Sequence, residues 1–388
     1  MRDPQSNVLE FIAGCAVDAD IYYLAAAIGP GNECYDPDPG PPSRMFIFGR
    51  TPEEEWFHHD LQDFQVMATQ LVPEHPGRPR RVLALDFYGQ LEDYSRAGST
   101  TEYVSAEGAE FPGGLVCLRL LGDDLFCGGT GGQIHHRGPD GWQQLPAHLA
   151  AALCDDYDDD SELDDFDSWL DSFGYLFELN DAPTLPTDPM ERDAELRRRF
   201  DEWRAHMVET QKDGGFNQLL GESRAGIVND LSGTGFADLY AIGTRGLIAH
   251  WDGSRWQMPE KVTTSHLVQA VMTEAGNMLV VGHQATIVLG NMTTGFECLP
   301  HEISEDVNFY CACQHGQAIY IGSENGIYVY SPSSRIIERL KSGLPEEVMD
   351  AAVVDISSAG GVLWVLTPWD LVRFDGSHWQ VIVHPDNG

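Results

Sequence analysis

The chain has 388 residues, of which 61 are acidic and 23 basic, giving a formal net charge of −38 at pH 7. With only three lysines, that balance argues against recognition of nucleic acid or an anionic membrane, both of which run on Lys and Arg. An apolar share of 42%, with 40 glycines and 22 prolines, suits a folded chain with a sizeable core.

Read from the start, Met1-Arg2-Asp3-Pro4 lacks the basic region that opens a secretion signal. The longest apolar stretch, 11–28, is broken by Asp18 and Asp20 and does not read as a membrane span. A cytoplasmic location is therefore expected. Residues 11–17 and 21–27 read as paired strands around Asp18-Ala19-Asp20, and a Gly/Pro-rich loop separates them from a third strand at 45–48. Another apolar strand follows at 82–86.

Internal repetition is the strongest signal. Residues 125–142 and 239–256 match in order: an apolar run, a Gly-Thr-x-Gly turn, a second apolar segment, an Asp-Gly turn and a Trp. Looser copies lie at 278–282, 319–322 and 363–366. Taking Asp86, Gly129, Gly243, Gly282, Gly322 and Leu366 as equivalent gives spacings of 43, 114, 39, 40 and 44. Within the copy around Gly322, strands are expected at 308–313, 318–321, 327–330 and 336–340. A repeat of about 40 residues built from four antiparallel strands is the β-propeller pattern. The second strands are continuous apolar runs, as expected of strands covered on both faces.

The expectation is an all-β chain forming a single β-propeller of seven four-stranded blades at 7–62, 63–111, 112–148, 223–261, 262–303, 304–345 and 346–388. Six or eight blades, or a solenoid, are the competing counts and topology. Because each blade's strands are consecutive, closure without exchange of a distant strand is expected. The segment 149–222 interrupts the ring, leaving blades 1–3 in 1–148 and blades 4–7 in 223–388. Its first half is acidic, with fourteen Asp or Glu and no Lys or Arg between Leu149 and Arg192. Its second half, 189–212, reads as a helix with Phe200, Trp203 and Met207 on one stripe.

The blade pattern resembles that of bacterial β-propellers carrying G-x-x-G-x-I-x-x-W/F-D-G-x-x-W, here Gly243, Gly246, Ile248, Trp251, Asp252, Gly253 and Trp256, echoed by Phe374-Asp375-Gly376-Ser377-His378-Trp379. This resemblance implies an architecture, not an activity. The Asp-Gly-x-x-Trp turns are similar to the Asp-boxes of sialidase-like propellers but lack the residue between Asp and Gly and the upstream Ser or Thr. No arginine triad with a Tyr/Glu pair accompanies them. The WD40 resemblance is weaker: Trp251-Asp252 and Trp369-Asp370 occur without the matching Gly-His register.

Other residues invite chemistry and are better explained otherwise. His58-His59 and His135-His136 sit on strands, where neighbours point to opposite faces and do not chelate as a pair. The eight cysteines lack C-x-x-C or zinc-finger spacing and read as buried free thiols. The run at 155–160 lacks the glycine and spaced carbonyls of a calcium loop. Asp252 and Asp375 read as turn formers. No nucleophile elbow, zincin helix or phosphate loop is present in the sequence, so no catalytic residue, cofactor or metal is expected.

Two functions remain. The first is an intracellular binding protein, in its sharpest form an immunity protein that occludes a basic bacterial toxin and is monomeric when alone. Its candidate contacts are Asp155, Asp156, Tyr157, Asp158, Asp159, Asp160, Asp164, Asp165, Phe166, Asp167 and Trp169, with acids steering a basic partner and aromatics anchoring it. The second is a hydrolase or lyase acting on a small molecule in the central channel. Adaptation to high salt is the competing account of the acidity.

Overall fold

The structure, a computed structural model, describes residues 9–27, 43–50, 55–61, 64–75, 77, 79–95, 98–104, 114–146, 197–198 and 226–387. Its strands form seven four-stranded antiparallel sheets, each made of strands consecutive in sequence. The innermost strands are Glu10–Ala16, Val66–Val72, Leu115–Leu121, Val228–Gly235, Leu267–Met272, Phe309–His315 and Asp355–Ala359. Each lies beside the next, and the last beside the first, so the blades close into a β-propeller. Observed strand ends differ from the expected ones by a residue or two: the first strand of blade 6 runs on to His315 and its second to Ser323.

The apolar second strands occupy the middle of the blades. Met278–Gly282 and Val362–Leu366 are buried along their whole length, whereas the outermost strand of blade 2, Gly98–Tyr103, is almost wholly exposed. Blades are held together face to face. Leu279, Val281 and Ile287 of blade 5 pack with Phe309, Ile319 and Ile321 of blade 6, and burying such a side chain contributes about 1.5–3 kcal/mol relative to exposure.

Closure follows the same logic, with no strand exchanged. Phe11, Tyr22, Leu24, Phe46 and Phe48 of blade 1 share a core with Val362, Trp364, Leu366 and Leu371 of blade 7. Hydrogen bonds lock that seam. Trp364 Nε1 donates to Asp18 O (3.0 Å), Tyr22 Oη to Asp355 Oδ2 (2.8 Å) and Phe11 N to Pro368 O (2.8 Å). Asn387 accepts from Leu9 N through Oδ1 and donates through Nδ2 to Leu9 O and Trp369 O.

Among the described cysteines all are free, and Cys117, Cys127 and Cys311 are buried. Cys298 is the correction: it lies on the short outer strand Gly295–Cys298 of blade 5 and is exposed. Within 149–222 only Arg197 and Arg198 are described, and both are helical.

Candidate protein-binding site

The repeated glycine builds the mouth of the central channel. Gly129, Gly243 and Gly282 end the second strands of blades 3, 4 and 5. Gly243 opens the Gly-Thr-x-Gly turn of the repeat, and its φ is −176°, which is extended. Its glycine is required by close approach instead: a Cβ on Gly243 would collide with Ile227 O, one on Gly282 with His266 O and one on Gly129 with Gly114 O. The next residue then donates to the same carbonyl, Thr130 N to Gly114 O, Thr244 N to Ile227 O and His283 N to His266 O, at 2.8–3.0 Å. Positive φ falls further along, at Gly131, Gly132 and Gly246, and also at the non-glycine residues Arg245, Gln284 and Ala285.

Just after each pinned carbonyl the innermost strand bulges. Pairing skips Ile12, Met67, Val116, Asn229, Val268 and Tyr310 in blades 1–6. In blade 7, Val354 N donates to Leu366 O (2.7 Å), the residue already paired with Asp355. A bulge re-aims the extra side chain, and here all seven line one cavity of about 180 Å³ in the channel. Five of the seven are aliphatic or Met, and six are partly buried while Tyr310 is exposed. The result is a collar of mainly apolar side chains, broken by Asn229 and Tyr310, over a cavity whose lining is mostly polar and includes Thr69, Arg119, Gln269 and Asp355.

Below the collar the polar side chains bridge blades. Arg119 Nε pairs with Asp230 Oδ1 at 2.7 Å, and Asp230 Oδ2 accepts Ala270 N at 3.0 Å. Asn229 Nδ2 donates to Leu267 O (2.7 Å), Gln269 Oε1 accepts Ala312 N (2.6 Å), and Ser357 Oγ accepts Ala16 N (3.1 Å). Burial raises the carboxyl pKa values of Asp230 and Asp355, opposed mainly by Arg119 for the first and by the Tyr22 hydroxyl for the second. Burial also pushes the thiols of Cys15 and Cys117 up to about 12, far from the thiolate state that makes Cys a nucleophile.

On the rim, Tyr310 Oη donates to Glu324 Oε2 (3.2 Å), which also accepts Asn308 Nδ2. His283 lies edge-on to Tyr310 and to His266, so the three rings form an arc over blades 5 and 6. The connections 299–308 and 340–354 leave the same end of the ring. They expose Glu302, Glu305, Asp306, Glu346, Glu347 and Asp350 against a single Lys, Lys341.

A larger cleft of about 940 Å³ lies between blades 2 and 3, lined by Arg81, Leu83, Glu102, Leu125 and Arg137 among others. Its cations are already paired, Arg81 with Asp93 at 2.5 Å and Arg137 with Glu102 at 2.6 Å.

The sequence-derived candidates sort as follows. Asp155, Asp156, Tyr157, Asp158, Asp159, Asp160, Asp164, Asp165, Phe166, Asp167 and Trp169 lie outside the described residues. His135 is buried against Gln133 Oε1 at 3.0 Å, and burial lowers its pKa to about 4. His136 bonds Asp124 at 2.9 Å, His58 packs on Phe46 and His59 on Tyr94. Among the described residues no group of three or more His, Cys, Asp or Glu side chains is placed to hold a metal. Asp252 and Asp375 do form turns. Asp252 Oδ1 accepts Ser254 Oγ, Ser254 N and Arg255 N, Asp375 Oδ1 accepts His378 N, Ser377 Oγ and Ser377 N, all at 2.7–3.0 Å, and these bonds, the Ser254 hydroxyl foremost at Asp252 and the His378 amide at Asp375, hold both carboxyls well below the usual range. Sequence reading missed the collar, because only the pairing of the neighbouring strand shows which residue is skipped.

Fold and site together define a seven-bladed β-propeller with a small cavity in its channel. Among solved structures the chain is similar to the WD40 β-propeller domain of Doa1, at 10% identity with a TM-score of 0.54, covering 95% of this chain and 93% of that one. It is also similar to Saccharomyces cerevisiae Sqt1, at 10% identity with a TM-score of 0.51, covering 97% and 85% of the two chains. These are likenesses of fold. No family model matches the chain. In sequence it is 27% identical over 192 residues to the Immune protein Tsi7 of Pseudomonas aeruginosa, a match covering 49% of this chain and 58% of that protein, so less than two thirds of the relative's length is spanned. Among the described residues no helix is long and apolar enough to cross a membrane.

Proposed function

We propose that this chain is a protein-binding propeller that confers immunity in the cytoplasm, occluding a basic toxic protein. The observation that carries this reading is the likeness to an immune protein over 192 residues. The net charge of −38 supports a basic partner, because complementary charge speeds encounter and disfavours wrong partners. The acidic segment holding Asp155–Asp160, Phe166 and Trp169 is proposed as one recognition element, since scaffolds commonly present function on segments that break their repeat.

The competing reading, a small-molecule enzyme, draws on the two channel carboxylates with raised pKa values, Asp230 and Asp355. Against it, a cavity of about 180 Å³ falls below the roughly 300–1,000 Å³ of sites that enclose a ligand, and the channel's polar groups already link neighbouring blades. The test is to replace 154–188 with a Gly/Ser linker and measure binding to the product of the neighbouring open reading frame. A folded ring with at least tenfold weaker binding, about 1.4 kcal/mol, supports the segment's role. Unchanged affinity and salt dependence removes it.

A further inference from the structure

The collar has features of an anchoring pocket, and they follow from the repeat itself. Six of its seven positions are bulge residues skipped by the strand ladder, and a bulge both bends the strand and points its extra residue away from the sheet. Repeating the device around the ring turns Ile12, Met67, Val116, Val268 and Val354 toward one axis, with Tyr310 at the lip. Ile12 and Val354 pack in part against the cores of their own blades, and all five apolar side chains keep part of their surface free at the cavity. The cavity, about 180 Å³, is too small for a drug-sized ligand and suits a single large side chain. Pockets of this kind accept the anchor residues that dominate interfaces, while surrounding contacts exclude water.

The surroundings lean acidic. The connections over blades 5 to 7 expose six carboxylates, of which Asp350 pairs with Arg339, and one lysine, and Glu324 stands next to Tyr310. Non-glycine residues at positive φ, Arg245, Gln284 and Ala285, shape the turns at the same lip, a backbone cost often found where a surface is used.

We infer that a basic protein docks over blades 5 to 7 and seats one side chain in the collar. The acids draw the partner in and orient it, and the collar holds it. This rests on the reading of the chain as a binder of a basic toxic protein. It adds a contact point separate from the acidic segment.

The probe is the purified polypeptide encoded beside this gene, titrated calorimetrically against the full chain and its variants. Val268→Asp and Tyr310→Ser are expected to weaken binding at least tenfold at every salt concentration. The double change Glu346→Gln, Glu347→Gln is expected to weaken it at low salt and to have little effect at high salt. Circular dichroism establishes that each variant is folded. Tyr310 is exposed, so its variant decides the matter if Val268→Asp unfolds the ring. Full affinity in folded Tyr310→Ser and Val268→Asp overturns the collar and leaves the immunity reading standing. Failure of the unaltered chain to bind overturns both.

Discussion

Replacing Asn387 with alanine should loosen the seam between the first and last blades. Its side chain bridges that seam: Oδ1 accepts Leu9 N at 2.9 Å, and Nδ2 donates to Leu9 O at 3.0 Å and Trp369 O at 3.1 Å. Asn387 is 3% exposed and Leu9 4% exposed, so water does not readily replace the lost partner. Each orphaned buried group costs about 1–3 kcal/mol. Relaxation of the chain around Leu9 offsets part of this, leaving an expected loss of about 2–4 kcal/mol in urea unfolding followed by tryptophan fluorescence. Asn387→Asp sharpens the test. It keeps the acceptor for Leu9 N but turns the second oxygen toward two carbonyl oxygens, so the introduced carboxyl has a raised pKa in the folded state. A carboxyl raised on folding favours the folded state once protonated, so this variant should regain stability as pH falls from neutrality and lose it as pH rises again. Parental stability in Asn387→Ala, within about 0.5 kcal/mol, would refute closure through this side chain.

Three further outcomes are expected. Burial raises the Asp86 carboxyl pKa from 3.8 to about 6, outweighing the bonds it accepts from Gln90, Tyr88 and Gly89, so the folded ring should lose stability as pH rises from 4 through 6; Asp86→Asn should abolish that slope and gain about 1 kcal/mol at neutral pH after allowance for screening, read by thermal melts across pH. Gly243→Ala should destabilise the ring by about 2 kcal/mol or more, because its Cβ meets Ile227 O, and a melt within a degree of the parent would refute the close-approach account of the repeated glycine. Among the described cysteines Cys298 is exposed, whereas the thiols of Cys15, Cys117 and Cys313 are raised to about 12, so mass-mapped alkylation of native protein should label Cys298 ahead of those three.

Much of the ring was legible because its determinants are local. Continuous apolar runs such as 278–282 mark strands buried on both sides, and Asp252 and Asp375 mark turns through bonds to residues two and three positions on. The seven blades and their consecutive strands follow from those signals. The reason for Gly243 was not legible, because a glycine needed for close approach and one needed for positive φ look the same in sequence. The collar was hidden for a related reason: Val268 and Tyr310 each follow a buried residue, and only the paired strand reveals that they are skipped. The exposed thiol of Cys298 was missed because its strand is a short outer one, where apolar character does not report burial. The acidic aromatic segment was conspicuous from composition alone, and its residues lie outside the described part of the structure.

The central claim, immunity by binding, is tested most directly by growth. The account requires a toxic protein encoded by the neighbouring open reading frame, and cells expressing that frame are grown with and without this chain supplied in the cytoplasm. The account predicts rescue by the intact chain, accompanied by a stoichiometric complex whose affinity falls as salt rises. Continued killing in the presence of folded, soluble chain, with no complex formed, would contradict it.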